Sequence, residues 1–311
     1  MFRTRNVGFL GALLAVALVS SACGGSDPFQ EKSGGGGGGS SNGTVIIGST
    51  NFYEQLILAN MYADVLKARG VKVETRLNLG KREVVFPSLK SGEISALPEY
   101  TGSLLTYLTD GETTASKPDE VLSQLRKELP QEIVALAPAQ AQDKDALVVT
   151  QETAQQYELQ TVSDLKGVAD EMVIGGPSEL ENRALGLPGY KKVYGLDFKK
   201  FIALDAGGPL TKSALKQGDI DVARLFSTDP SIAKNNWVVL KDDKSLQPAQ
   251  QLIPVIRKEA LTPTIKKALN ELSAHLSTEA ITKLNAKVVA DKKDPAKVAH
   301  NWLVQEGLIN S

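Results

Sequence analysis

From residue 45 onward the chain alternates short apolar runs of β type with amphipathic stretches of helical period, and that alternation confines it to few folds. Candidate strands fall at residues 45–47, 71–77, 94–97, 133–136, 146–150, 172–174, 201–204, 222–225, 237–240 and 252–257. Between the first two lies a helical stretch, 52–69, in which Leu56, Ala59, Ala63 and Leu66 recur on one face and Gly70 is the stop. Helices are also expected at 83–91, closed by Gly92, at 118–128, and at 263–275, 278–287 and 295–305. Strands and helices in this order imply an α/β fold with mostly parallel, buried strands. At 311 residues the chain is long enough for about two domains, so two lobes are expected. A ligand then belongs outside the carboxyl ends of the strands, where loops 49–54, 98–102, 175–179, 207–211 and 227–229 converge.

The N-terminus reads as an address. Arg3 and Arg5 precede an apolar run at 7–19, which is short for a membrane span and fits a secretory signal. The run ends in Val19-Ser20-Ser21-Ala22-Cys23, which resembles a bacterial lipobox. Residues 1–22 are therefore expected to be a lipoprotein signal peptide, with Cys23 lipidated and the protein held on the outer face of the cell membrane. Residues 23–43 include six consecutive glycines at 34–39 and read as a flexible tether.

Cys23 is the only cysteine, so no internal disulfide and no thiolate cluster is available. Two histidines, His275 and His300, are too few for a His-rich metal site, and no cofactor is expected. Lys plus Arg number 35 against 36 for Asp plus Glu, a balance that argues against nucleic-acid binding. Outside the glycine-rich tether the sequence has no G-x-S-x-G, P-loop or G-x-G-x-x-G. A binding protein is expected rather than an enzyme; a lipid-anchored hydrolase or a sensor or scaffold lipoprotein is the reading from another class.

Single motifs leave alternatives open. Gly207-Gly208-Pro209-Leu210-Thr211 is either a backbone cradle for a polar group or a tight turn into a helix. Lys81-Arg82-Glu83 reads first as a solvated helix entry. Tyr100 and Phe226 each follow a strand, as rim residues of a cleft or as packing between lobes.

In combination the motifs resemble a known family. Gly48-Ser49-Thr50-Asn51-Phe52-Tyr53-Glu54-Gln55, Leu77-Asn78-Leu79-Gly80-Lys81-Arg82-Glu83, Pro98-Glu99-Tyr100-Thr101-Gly102, Val193-Tyr194-Gly195-Leu196-Asp197-Phe198 and Ser227-Thr228-Asp229 are similar to segments of the osmoprotectant-binding proteins. These are the glycine betaine, choline and carnitine-type substrate-binding subunits of ABC importers. The resemblance implies a type II periplasmic-binding fold, two α/β lobes joined by two crossing strands, with lobe 1 at 44–147 and 253–311 and lobe 2 at 148–252. It implies a monomer that gives a small organic solute to a permease driven by separate ATPase subunits.

It also implies an aromatic cage for a methylated cation. Tyr100 and Phe226 stand at ring positions, whereas Asp145 and Leu187 replace two rings that such a cage usually has. The expected ligand contacts are Tyr100 and Phe226 as walls, Asp145 and Asn51 as polar anchors, and the hydroxyls of Thr101, Thr211 and Thr228. Loss of two rings leaves open a hydroxylated, non-quaternary ligand such as a polyol, sugar-like or phenolic compound.

Overall fold

Apolar runs too short for a stable helix pair their backbones as strands. In the computed structural model, which describes residues 43–310, they do so in two sheets. In chain order come β1 Val45–Gly48, α1 Tyr53–Lys67, β2 Val73–Arg76, α2 Arg82–Ser91, β3 Ala96–Tyr100, α3 Thr101–Leu108, α4 Pro118–Glu128 and β4 Ile133–Ala135. The chain continues with β5 Asp145–Val149, α5 Gln151–Gln156, β6 Val173–Pro177, α6 Leu187–Tyr194, β7 Lys200–Leu204, α7 Pro209–Gln217, β8 Val222–Phe226, α8 Ser231–Lys234 and β9 Val238–Val239. It closes with β10 Leu252–Arg257, α9 Pro263–His275, α10 Thr278–Val289 and α11 Pro295–Gln305. The expected signal peptide, Cys23 and nearly all of the tether lie outside the described residues.

The two sheets share one plan. Their orders are β2-β1-β3-β10-β4 and β7-β6-β8-β5-β9. In each, one strand runs against both neighbours: β10 between β3 and β4, and β5 between β8 and β9. Each reversed strand is the first strand after the chain has passed from one sheet to the other. Residues 145–147, expected in lobe 1, lie on β5 and pair with β8, so they belong to the second sheet. Leu252, expected in lobe 2, pairs with Tyr100 in the first.

The two passages between sheets run side by side. Gln142 and Gln251 form an antiparallel bridge. The Asp143 amide donates to the Gln250 carbonyl at 3.1 Å, and the Leu252 amide to that of Ala141, also at 3.1 Å.

Helices cover both faces of each sheet, as apolar strands require. The first has one core around Ile57, Leu58, Met61, Leu269 and Leu303 and another around Phe86, Leu97, Leu104 and Val255. The second has one around Leu147, Ile174, Tyr190 and Val222 and a smaller one around Val148, Leu215 and Leu225. The three closing helices start where the sequence provides caps: the Thr262, Ser277 and Asp294 side chains accept from Ile265, Ala280 and Lys297 amides at 3.3, 3.1 and 2.9 Å. Pro263 and Pro295 occupy first-turn positions where a missing N–H costs nothing.

Helix α3, which the sequence pattern does not announce, begins directly off β3 with no loop. Its second residue has to be glycine, because a Cβ at Gly102 would meet Pro248 Cγ at 2.5 Å and the Ala249 carbonyl oxygen at 2.6 Å. That close approach seats Tyr100 against the second passage.

Candidate functional site

Loops from both sheets meet in a cleft. The turn after β1 leaves Phe52 extended at the N-cap of α1, so its ring leaves the helix axis and enters the cleft. It stacks on Phe226, at the end of β8 in the second sheet, with centroids 4.6 Å apart and planes 16° from parallel. On the first sheet it lies 6.2 Å from Tyr100, at 26°. Stacked rings of this kind contribute about 0.5–1.5 kcal/mol beyond the area they bury.

Around the rings is a layer of paired charges. Arg82 forks onto Glu99 at 2.8 and 2.7 Å, and Arg183 onto Glu83 at 2.9 Å twice. Arg224 pairs with Asp145, and its guanidinium carbon lies 4.2 Å from the centroid of the Phe226 ring. Burial pulls Arg82 down, but the Glu99 carboxylate outweighs it and holds the guanidinium above its ordinary value. Burial likewise pushes Glu83 up, and Arg183 more than reverses it, so the carboxyl sits below the usual range. The Nε of Arg224 is buried with no hydrogen-bond partner in the protein.

The cleft has an outer chamber of about 400 Å³, within the range of small-molecule sites, and an inner one of about 60 Å³. Arg82, Ser103, Asp145, Glu179, Arg183 and Arg224 line both. Tyr107, Asp110, Leu180 and Pro188 extend the outer chamber; Thr50, Phe52, Tyr100, Asp143 and Phe226, with the exposed Asn51 and Lys81, line the inner one.

Behind the rings the lobes share a buried acid. Glu54 is 1% exposed and accepts from the Tyr100 hydroxyl at 2.7 Å, Thr228 Oγ1 at 2.7 Å and Asn285 Nδ2 at 2.6 Å. Burial raises its pKa against these three donors. Asp143, on the first passage between the sheets, accepts from the Thr228 amide and Ser227 Oγ, both at 3.1 Å through Oδ1. Burial and the nearby Glu54 charge push Asp143 well above the usual carboxylate range. Next to them, Tyr53 donates its hydroxyl to Asp229 at 3.0 Å, and Lys212 pairs with Asp229 at 2.7 Å.

Of the residues expected at the site, Asn51, Tyr100, Asp145 and Phe226 line the inner chamber together. The three threonines do not line either chamber. The Thr101 hydroxyl donates to the Ala249 carbonyl at 3.0 Å, Thr211 is bound to Asp205 at the start of α7, and Thr228 is bound to Glu54. Leu187 turns into the core of the second sheet while Gly186 and Pro188 beside it face the outer chamber. Asp145 is an anchor already paired with Arg224. The Gly207–Thr211 segment is the turn into α7, with Asp205 accepting the amides of Gly208, Leu210 and Thr211.

Sequence reasoning did not single out Phe52, Glu54, Asp143, Arg183 or Arg224. One signal was there: Arg224 interrupts the otherwise apolar strand Val-Ala-Arg-Leu-Phe, and a charge inside a buried strand has a reason to be there. Among the described residues no three His, Cys, Asp or Glu side chains gather as metal ligands, and no helix is long and apolar enough to cross a membrane.

Two α/β lobes around one cleft, each with a single reversed strand, are an architecture that solute-binding proteins of ABC importers share. The chain belongs to the family described as the substrate binding domain of the ABC-type glycine betaine transport system, whose model matches residues 43–305. It is 31% identical over 267 residues to the carnitine transport binding protein OpuCC of Listeria monocytogenes, covering 84% of this chain and 86% of the relative. It is 29% identical over 276 residues to the glycine betaine-binding protein YehZ of Escherichia coli (strain K12), covering 85% and 90%. A crystal structure of a glycine betaine/carnitine/choline ABC transporter superposes with a TM-score of 0.69 at 29% identity, over 85% of this chain and 99% of that one. The protein is thus a transport component that binds solute.

Proposed function

We propose that the protein captures a small cationic or zwitterionic compatible solute, of the glycine betaine, choline or carnitine class, in the cleft between its sheets. The observation that carries this is the convergence of Phe52, from the turn before α1, with Tyr100 and Phe226, from the ends of β3 and β8, one in each sheet. Ring faces attract a methylated cation, which cannot donate hydrogen bonds. A zwitterion's carboxylate meets the arginine layer, where the buried Nε of Arg224 is a donor in search of an acceptor. Asn51, Tyr100, Asp145 and Phe226 form the ligand walls. Thr101, Thr211 and Thr228 hold those walls in place. Ligand contact with both lobes favours the closed arrangement, which is a population shift.

The lobes comprise residues 44–141 with 252–311, and 145–250. The signal peptide is cut before Cys23, whose lipid anchors the protein outside the cell membrane, and the monomer hands its solute to a permease served by ATPase subunits. Isothermal titration of the purified protein with glycine betaine, choline and carnitine tests the reading. Binding in the micromolar range is expected, lost on Tyr100→Ala. A folded protein that gives no heat with any of them overturns it.

A hydroxylated ligand is the second reading. It is favoured by one feature: Arg224 already lies over the Phe226 ring, where a ligand cation would otherwise stack.

A further inference from the structure

The two chambers of the cleft differ in size more than one small solute explains. The outer one, at about 400 Å³, is in the range of sites that enclose drug-sized ligands, whereas the inner one, at about 60 Å³, takes a methylated head and little more. A solute as small as glycine betaine leaves the outer chamber nearly unfilled. That chamber is not the mouth of an open cleft, because the lobes already meet around it. Glu83 and Arg183 bridge them on its wall at 2.9 Å. Gly111 of the first lobe, on the same wall, lies so near the second that a Cβ there would strike Ala184 Cβ at 2.4 Å. At the inner end the stacked rings of Phe52 and Phe226 join the lobes.

The lining also changes along the cleft. Phe52, Tyr100 and Phe226 line only the inner chamber, and Arg82, Arg183 and Arg224 line both. Tyr107 of the first lobe and Leu180, Leu185 and Pro188 of the second line only the outer one. The Tyr107 ring is held edge-to-face against Phe86, with centroids 5.6 Å apart and planes at 70°, and Phe86 is itself buried. Tyr107 is therefore a fixed wall, and a solute that ends at its carboxylate has nothing to set against it.

We infer that the outer chamber is a subsite for an apolar side chain, so that the preferred solute is the N-trimethyl betaine of an amino acid with a large apolar side chain rather than glycine betaine itself. The inference rests on the proposed function and narrows its ligand class: the fully methylated head stays with the rings and the carboxylate with the arginines. In such a betaine the ammonium, the carboxylate and the side chain all branch from one carbon. With the first two placed, the side chain continues past the arginines toward Tyr107, Leu180 and Pro188. Choline ends in a hydroxyl and carnitine in a carboxylate, so neither brings an apolar group that far. Covering the outer wall removes apolar surface from water on both partners, and the gain grows with the area covered.

Titration calorimetry of the full chain with glycine betaine and with N,N,N-trimethyl-L-phenylalanine tests this. The two share head and carboxylate and differ only in the benzyl side chain. The phenylalanine betaine is expected to bind at least about tenfold tighter. Tyr107→Ala, which removes the wall, is expected to shrink that advantage to about threefold or less. Pro188→Ala, on the other lobe, gives a second and smaller reduction should Tyr107→Ala not fold. Glycine betaine binding as tightly as the phenylalanine betaine overturns the inference and leaves the proposed function standing. An advantage that survives both variants unchanged also overturns it, since the side chain then lies elsewhere. Silence from both ligands, and from choline and carnitine, in a folded protein overturns inference and proposed function together.

Discussion

Among the contacts between the lobes, two are of opposite character. At the back of the cleft, Glu54 from the first lobe is fully enclosed and takes three donors, of which Thr228 comes from the second lobe. At the rim, Glu83 and Arg183 join the same two lobes through a two-pronged bridge, but their side chains are 35% and 31% exposed. Water competes for the rim pair and not for the back one. An exposed pair costs little to break and little to form, which suits a contact that must release each time the cleft opens. The buried knot has no such exchange partner, because each of its donors loses a strong bond if the acid leaves. One contact therefore belongs to the frame and the other to the cycle.

The largest effect expected from breaking this contrast is at Glu54. Glu54→Ala leaves Tyr100, Thr228 and Asn285 with buried groups to satisfy and is expected to cost about 3 kcal/mol or more of unfolding free energy. Urea denaturation reads it, and a loss under about 1 kcal/mol assigns the frame to other contacts.

A mid-sized effect is expected from pH and Asp143. The native state holds the protons of Asp143 and Glu54 more tightly than the unfolded chain does, because burial raises both. Stability of the ligand-free protein from this source is full below the ordinary carboxylate range, near pH 4, and is lost as pH rises through the raised native values. Asp143→Asn removes one of the two titrations. It is expected to raise the neutral-pH melting temperature by about 2–4 °C and to flatten its pH dependence, as differential scanning fluorimetry across pH would show. An unchanged slope would mean that Glu54 alone carries the titration.

The smallest effect is at the rim. Arg183→Ala is expected to change stability by less than about 1 kcal/mol. Its weakening of ligand affinity is expected to be visible at low ionic strength and to fade at physiological salt, where charges are screened over about 8 Å. A salt-independent loss would place Arg183 in direct contact with ligand.

Much of the fold was legible in the sequence because short-range patterns determine it. Runs such as Val45-Ile46-Ile47 and the caps at Thr262, Ser277 and Asp294 announce strands and helix starts from a few neighbouring residues. The reversal of β5 and β10 was not, since the direction of a strand in its sheet depends on where the chain has just come from. The site divided in the same way. Tyr100 and Phe226 stand at strand ends, where a ligand loop is expected. Phe52 became a wall only because the turn before α1 leaves it extended, and Asp143 came to the inner chamber only because it lies on the passage between the sheets. Thr211 and Thr228 had the right chemistry in the right loops, but nearer acceptors, Asp205 and Glu54, had already taken their hydroxyls.

The paired passages at Gln142 and Gln251 limit how the molecule can move. A single connecting strand could swivel freely; two strands bonded edge to edge form a narrow ribbon, which bends across its face far more easily than within its plane. The lobes therefore have, to first order, one angle to vary instead of three. Whatever docks on the outside does not have to sense the solute itself. It has only to measure how far a single dial has turned.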